Sequence, residues 1–298
     1  LRRIRAENAK EHAIYSEGVS VNKRFILNFT PTGMIPTREM TPRVPLQPAE
    51  IASEVLEAAE MGANMAHLHA RDPIDGSPSH LKELYAEIIA GIRSRNRDLV
   101  LCVSTSGRNC PGFEERSECL DLDGDLKPDM GSLTLSSLNF NKQASVNPPD
   151  MIQALARKMQ DRGIRPEMEA FDLGMINYAR YLARKGLVRP PYYFNLILGN
   201  IACAQADMLS LGLMVRELPQ ESVWSVGGIG DEQLRMNAMG IVAGGGVRIG
   251  LEDNIYFDAE RTRLASNADL LHRIIGIARA LGRTPYSHKE ARKILGLS

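Results

Sequence analysis

Cysteine is scarce in this chain: Cys102, Cys110, Cys119 and Cys203 are the only four, and no two stand in C-x-x-C spacing. That spacing gives no disulfide framework, and a reducing, cytoplasmic setting is expected. Cys102 falls in an apolar run and reads as a buried filler. An excess of one charge is also missing. Lys+Arg and Asp+Glu both number 36, so the formal net charge is zero, and nothing in that balance suits nucleic acid or an anionic membrane. No apolar run is long enough to cross a bilayer. The start, Leu1-Arg2-Arg3-Ile4-Arg5, is basic, but Glu7 and Glu11 follow without the apolar core of a secretory signal. Residues 1–23 are expected to form an arm, packed on a neighbouring subunit, ahead of a single domain over 24–298.

What the chain does have is alternation. Short apolar, β-rich runs lie at 25–29, 65–70, 99–104, 132–136, 167–171, 193–198, 223–227 and 246–250. Amphipathic stretches at helical spacing separate them, at 48–61, 79–93, 149–162, 174–185, 205–218 and 231–243, with two more at 267–281 and 288–295. Ser79 is a candidate cap for the second of these, and 113–122 carries the weakest helical pattern. Strands alternating with helices imply a parallel sheet. Eight such units in 298 residues imply a closed (β/α)₈ barrel, the TIM-barrel fold of the α/β class. An open doubly wound sheet is the alternative. It would call for G-x-G-x-x-G after the first strand, where the chain has Thr30-Pro31-Thr32-Gly33.

The segment Met65-Ala66-His67-Leu68-His69-Ala70-Arg71 sets two histidines on one face of the second strand. Two imidazoles there can hold a transition metal, or can be core histidines bonded to nearby backbone; H-x-H alone leaves both readings open. The barrel puts the pair at a carboxyl-terminal strand end, where such barrels gather their functional groups. Strand eight runs into Arg248-Ile249-Gly250-Leu251-Glu252-Asp253-Asn254. Because strands two and eight both flank strand one, Glu252 can meet His67 and His69 across the mouth. Two histidines and a carboxylate form a catalytic zinc set with a position open for substrate; the bland reading of Glu252-Asp253 is a solvated acidic turn. Ser104 and Ser137 offer hydroxyls at the ends of strands three and four, although Ser and Thr also favour ordinary loops. H-x-H also marks metal-dependent amidohydrolases, which need further histidines on strands five and six. Here His12, His80, His272 and His288 fall elsewhere, which argues against a binuclear hydrolase.

Taken together, Pro31-Thr32-Gly33, Pro36-Thr37-Arg38, the H-L-H-A-R segment, Asp75-Gly76-Ser77-Pro78-Ser79, Ser104-Thr105, Ser137-Leu138-Asn139-Phe140 and the strand-eight run resemble the β-keto acid cleavage enzymes from about Phe25 onward. The resemblance implies a zinc-dependent barrel that forms homo-oligomers, with a tetramer expected. It implies condensation of a β-keto acid with acetyl-CoA, releasing acetoacetate and a new acyl-CoA. Carried over by motif position, His67, His69 and Glu252 would hold the zinc, Asp253 would be the base and Arg248 its partner. Ser104, Ser137, Thr32 and Ile35 would meet the substrate. The chain departs from the pattern at three places. Ile35 stands where an acidic residue receives a substrate amino group, so a neutral or apolar acyl tail is expected. Residues 199–205 replace a glycine-rich loop, and Gly246 stands where a histidine commonly precedes the arginine. Two other readings compete: a zinc aldolase or carbon–carbon hydrolase that needs no CoA, and a metal-binding barrel without catalysis.

Overall fold

The computed structural model describes residues 22–297, so almost all of the expected arm lies outside it. Eight parallel strands close into a barrel in chain order: β1 (Leu27–Phe29), β2 (Met65–Leu68), β3 (Val100–Val103), β4 (Met130–Thr134), β5 (Arg165–Ala170), β6 (Tyr192–Leu198), β7 (Ser222–Gly228) and β8 (Gly246–Ile249). The ring shuts where β8 pairs with β1, Arg248 opposite Asn28. The connecting helices are α1 (Pro48–Met61), α2 (Lys82–Arg93), α3 (Phe113–Ser117), α4 (Pro149–Asp161), α5 (Leu173–Arg184), α6 (Met208–Arg216), α7 (Glu232–Val242) and α8 (Asn267–Ala280), and α9 (His288–Ile294) follows. Among the described residues, no helix is long and apolar enough to cross a membrane.

Strand alternation divides the apolar residues between two cores. Outward-facing Leu27, Ala66, Leu101, Met168, Leu196 and Val247 pack beneath the helices. Inside the barrel, Ile26, Met65, Val100, Met130 and Tyr193 make an apolar floor, sealed by Ala291 of α9 and by Leu295. Two residues further along the same strands the interior turns polar. Asn28 follows Ile26, His67 follows Met65, and Asn195 follows Tyr193, all buried. That switch gives the barrel a sealed end and a chemical end.

Some boundaries differ from the sequence expectation. The second strand ends at Leu68, and Ala70–Arg71 pairs antiparallel with Pro78–Ser79. Ser79 therefore belongs to a hairpin, and α2 starts at Lys82 without a side-chain cap. Strand four begins at Met130, two residues early, and takes in Gly131 as a packing position. A Cβ there would lie 2.8 Å from Met159 and 2.9 Å from Leu120. The stretch 113–122 splits into α3 and a 3₁₀ turn, Glu118–Asp121.

Candidate active site

His67 sits near the end of β2, and His69 follows it where the strand gives way to the hairpin. Their Nε2 atoms face each other at 3.1 Å. Glu252 reaches them from the loop after β8, with its Oε1 3.3 Å from His69 Nε2 and 3.9 Å from His67 Nε2. That loop is braced from several sides. The Glu252 N–H donates to Thr30 O, and the Leu251 N–H donates to Asn267 Oδ1, while Asn267 Nδ2 donates to Pro31 O. Arg71, the arginine of H-L-H-A-R, is buried and donates to the carbonyls of Gly33, Pro36 and Gly76. It fixes the β1 loop against which Glu252 lies.

This donor set fits a metal ion, on three observations. First, the three ligand atoms lie close enough together to share one cation, and all come from residue types that bind metals. Second, Glu252 Oε2 is buried without a hydrogen-bond partner, which is costly unless something else satisfies it. Third, the barrel mouth holds an excess of buried negative charge. Arg248 faces four carboxylates: Glu252 at 2.6 Å, Asp253 at 3.0 Å, Glu169 at 3.5 Å and Glu167 at 3.6 Å. Arg248, even with a protonated His67 beside it, leaves carboxylate charge in excess; a divalent cation among the ligands would offset more of it.

The surrounding groups orient the ligands. Glu167 Oε1 lies 3.1 Å from His67 Nδ1, so an Nδ1–H donated there leaves the Nε2 lone pair aimed at the metal position. Asn28 and Asn195 also donate to that oxygen. Burial disfavours the His67 imidazolium, yet Glu167 and Glu252 outweigh it and raise the group to about 9. Burial instead lowers His69, against the pull of Glu252. The opposite directions match two facing nitrogens of which only one carries a proton. Burial pushes the Glu252 carboxyl up, but Arg248 and the imidazoles hold it well below the usual carboxylate range. Asp253, also buried, is pushed up to about 6 despite Arg248. A carboxylate ionised at neutral pH but raised toward it suits a base. His67 also lies near Cys102 and Glu167 as a second donor group. Burial and the nearby Glu167 drive the Cys102 thiol well above its ordinary value, so it stays protonated.

The site opens into a cavity of about 790 Å³. His67, His69, Ser104, Arg248, Glu252 and Asp253 all line it, as does Ile35. Thr32 and Ser137 do not. Thr32 is buried and donates to Pro45 O. Ser137 is exposed and accepts the Asn147 N–H at 2.8 Å, which turns its hydroxyl into a loop brace. Three residues earlier, Thr134 does line the cavity, and it donates to Glu169 Oε2 at 2.7 Å. Gly246 leaves no room for a side chain, since a Cβ would lie 2.3 Å from Ile26 O and 2.6 Å from Ser225 Oγ. Sequence reasoning also missed Glu167 and Glu169. Their signal was present: two glutamates alternate with buried Met168 and Ala170 on one strand, so both point inward.

A family model described as beta-keto acid cleavage enzyme matches residues 24–297. The chain is similar to a 3-keto-5-aminohexanoate cleavage enzyme from Fusobacterium nucleatum, 35% identical over 276 residues that cover 92% of this chain and 98% of the relative. It is similar to a 3-oxoadipate:acetyl-CoA acetyltransferase from Cupriavidus necator, at 34% identity over 91% of this chain and 94% of the relative. A 3-dehydrocarnitine:acetyl-CoA trimethylamine transferase from Rhizobium meliloti is 32% identical, over 94% and 99%. Among solved structures, ObcA in a ternary complex with a C4-CoA adduct and oxalate superposes with a TM-score of 0.77. At 21% identity, over 86% of this chain and 68% of that one, the likeness concerns the fold.

Proposed function

The chain belongs to the β-keto acid cleavage enzyme family and is an enzyme of β-keto acid carbon–carbon cleavage and CoA transfer, and on that footing we propose that it is a zinc enzyme in which His67, His69 and Glu252 hold the ion and Asp253 is the base. The convergence of the two Nε2 atoms and Glu252 Oε1, with Asp253 on the same cavity wall, carries this reading. A bound zinc ion supplies Lewis acidity, drawing charge from the keto oxygen and carboxylate of a β-keto acid.

The chain's own residues do the rest. Asp253 takes the α-proton, and Arg248 Nε, 3.0 Å from its Oδ2, keeps that carboxylate aimed. The substrate α-carbon attacks the thioester carbonyl of acetyl-CoA, and the CoA thiolate leaves. The thiolate then attacks the original keto carbon, and the bond from that carbon to the α-carbon breaks. The products are acyl-CoA and acetoacetate, which recovers a proton from Asp253. No protein nucleophile is needed. Ser104 Oγ, in the cavity wall, orients the substrate, and Thr134 holds Glu169. Ile35 and Met40 give the cavity an apolar wall that does not receive a cationic tail.

The test uses acetyl-CoA labelled with ¹³C at the thioester carbonyl. Label in the keto carbon of acetoacetate, with unlabelled acyl-CoA, supports the scheme. Cleavage without acetyl-CoA would favour the aldolase or hydrolase reading.

A further inference from the structure

Most cations lining the cavity are already matched. Arg248 is surrounded by carboxylates, Arg261 pairs with Asp231 at 2.9 Å, and Lys142 stands exposed at the rim where water solvates it. Arg108, on the loop after β3, differs. Its guanidinium carbon lies 3.7 Å from the centre of the Phe140 ring, and the Phe171 ring meets Phe140 edge-on. All three line the cavity. The guanidinium makes no hydrogen bond to any described residue, and its Nε is buried without a partner. Burial lowers the group's basicity, while the fields of Glu252, Glu169 and Asp253 oppose that. Arg108 and those acids line one cavity, yet among the described residues no carboxylate pairs with it.

The loop is built to keep it there. Arg116, buried behind the loop, donates to Thr105 O and to Asn147 Oδ1. A Cβ at Gly107 would lie 2.3 Å from the Arg116 guanidinium, so the backbone beside Arg108 packs directly on this brace. A stacked guanidinium presents its edge, and the edge is what pairs with a carboxylate in two parallel hydrogen bonds.

We propose that Arg108 determines substrate specificity by binding a carboxylate at the far end of the β-keto acid, so that the enzyme's substrate class is dicarboxylic. This inference rests on the cavity being the substrate pocket of the proposed reaction. It changes the expectation drawn from Ile35, which excludes a cationic tail: Arg108 adds a reason for an anionic one over a neutral one.

The experiment compares three six-carbon β-keto acids with saturating acetyl-CoA: 3-oxoadipate, 3-oxohexanoate and 3-oxo-5-aminohexanoate. The wild-type enzyme is expected to favour the dicarboxylic acid over the neutral one. In Arg108→Met the ratio of their kcat/KM values should fall by roughly 10–100-fold, the range of a charge-assisted hydrogen bond, mainly through the KM of the dicarboxylic acid. Arg108→Lys should restore part of the ratio. A merely structural arginine would lower all substrates together and leave the ratio intact, which overturns the proposal. A rise in the KM of acetyl-CoA with an unchanged ratio also overturns it and gives Arg108 to the CoA phosphates. Calorimetric binding of glutarate separates the two readings. Binding that Arg108→Met abolishes supports carboxylate recognition even where no acetyl-CoA-dependent turnover occurs; in that case only the reaction falls.

Discussion

Gly33 and Glu252 occupy a space that admits one side chain. A Cβ on Gly33 would lie 2.4 Å from Glu252 Cγ and 2.8 Å from its Cβ. Gly33 also has φ of 64°, in the left-handed region that favours glycine. The marker Pro31-Thr32-Gly33 therefore shapes the proposed metal site without supplying a ligand. Gly33→Ala should push Glu252 out of register, and the backbone conformation alone should cost roughly 1 kcal/mol. The expected outcome is a purified variant with less than half the wild-type metal content and a lower urea midpoint. Full metal content would show that the loop relaxes around the methyl group.

Glu167 should matter to the metal without touching it. Its Oε1, 3.1 Å from His67 Nδ1, is placed to accept the Nδ1–H and so to favour the ring form that leaves Nε2 for a metal. Glu167→Gln should weaken metal affinity by about 10–100-fold, as losses of such partners do. Competition against a chromophoric chelator measures this directly. Circular dichroism should show the barrel intact.

Asp253→Asn separates binding from chemistry. Asp253 contacts Arg248 but belongs to none of the described donor groups that can share a metal. The variant should keep its metal and lose turnover by about 10²–10⁴-fold, the usual contribution of a positioned base. Metal analysis and steady-state rates on one preparation check both halves. Normal turnover would remove Asp253 from the mechanism.

The floor of the barrel should fail differently. Leu295 is buried, 2% exposed, against the interior apolar cluster. Leu295→Ala should cost about 2–5 kcal/mol of stability, the range for a buried leucine. Its metal content at low temperature should stay unchanged, because the site lies at the opposite end of the strands. Urea unfolding and metal analysis together test that separation.

The architecture was legible because each strand carries its outward apolar residues at period two and each helix its stripe at 3.6. The convergence of His67, His69 and Glu252 was legible because strand order brings β2 and β8 to either side of β1. Glu167 and Glu169 were harder to read: glutamates alternating on a strand look solvent-facing until the barrel closes and shows that alternate positions face inward. Ser137 misled for a related reason. A hydroxyl at a strand end can face the mouth or brace a loop, and only the Asn147 N–H decides which. The start of strand four at Met130 was not legible, because a sequence does not show which side chains press on Gly131. Arg108 had no pattern to mark it, since its position depends on the ring of Phe140, distant in sequence and adjacent in space.

His67, His69 and Glu252 are proposed to form one metal site. The most direct measurement is elemental analysis of wild-type protein and His67→Ala, both purified without chelator. About one zinc per chain is expected in the wild type, for a site with three protein ligands, with most of it lost in the variant. Full occupancy in His67→Ala, or no metal in the wild type, would contradict the site.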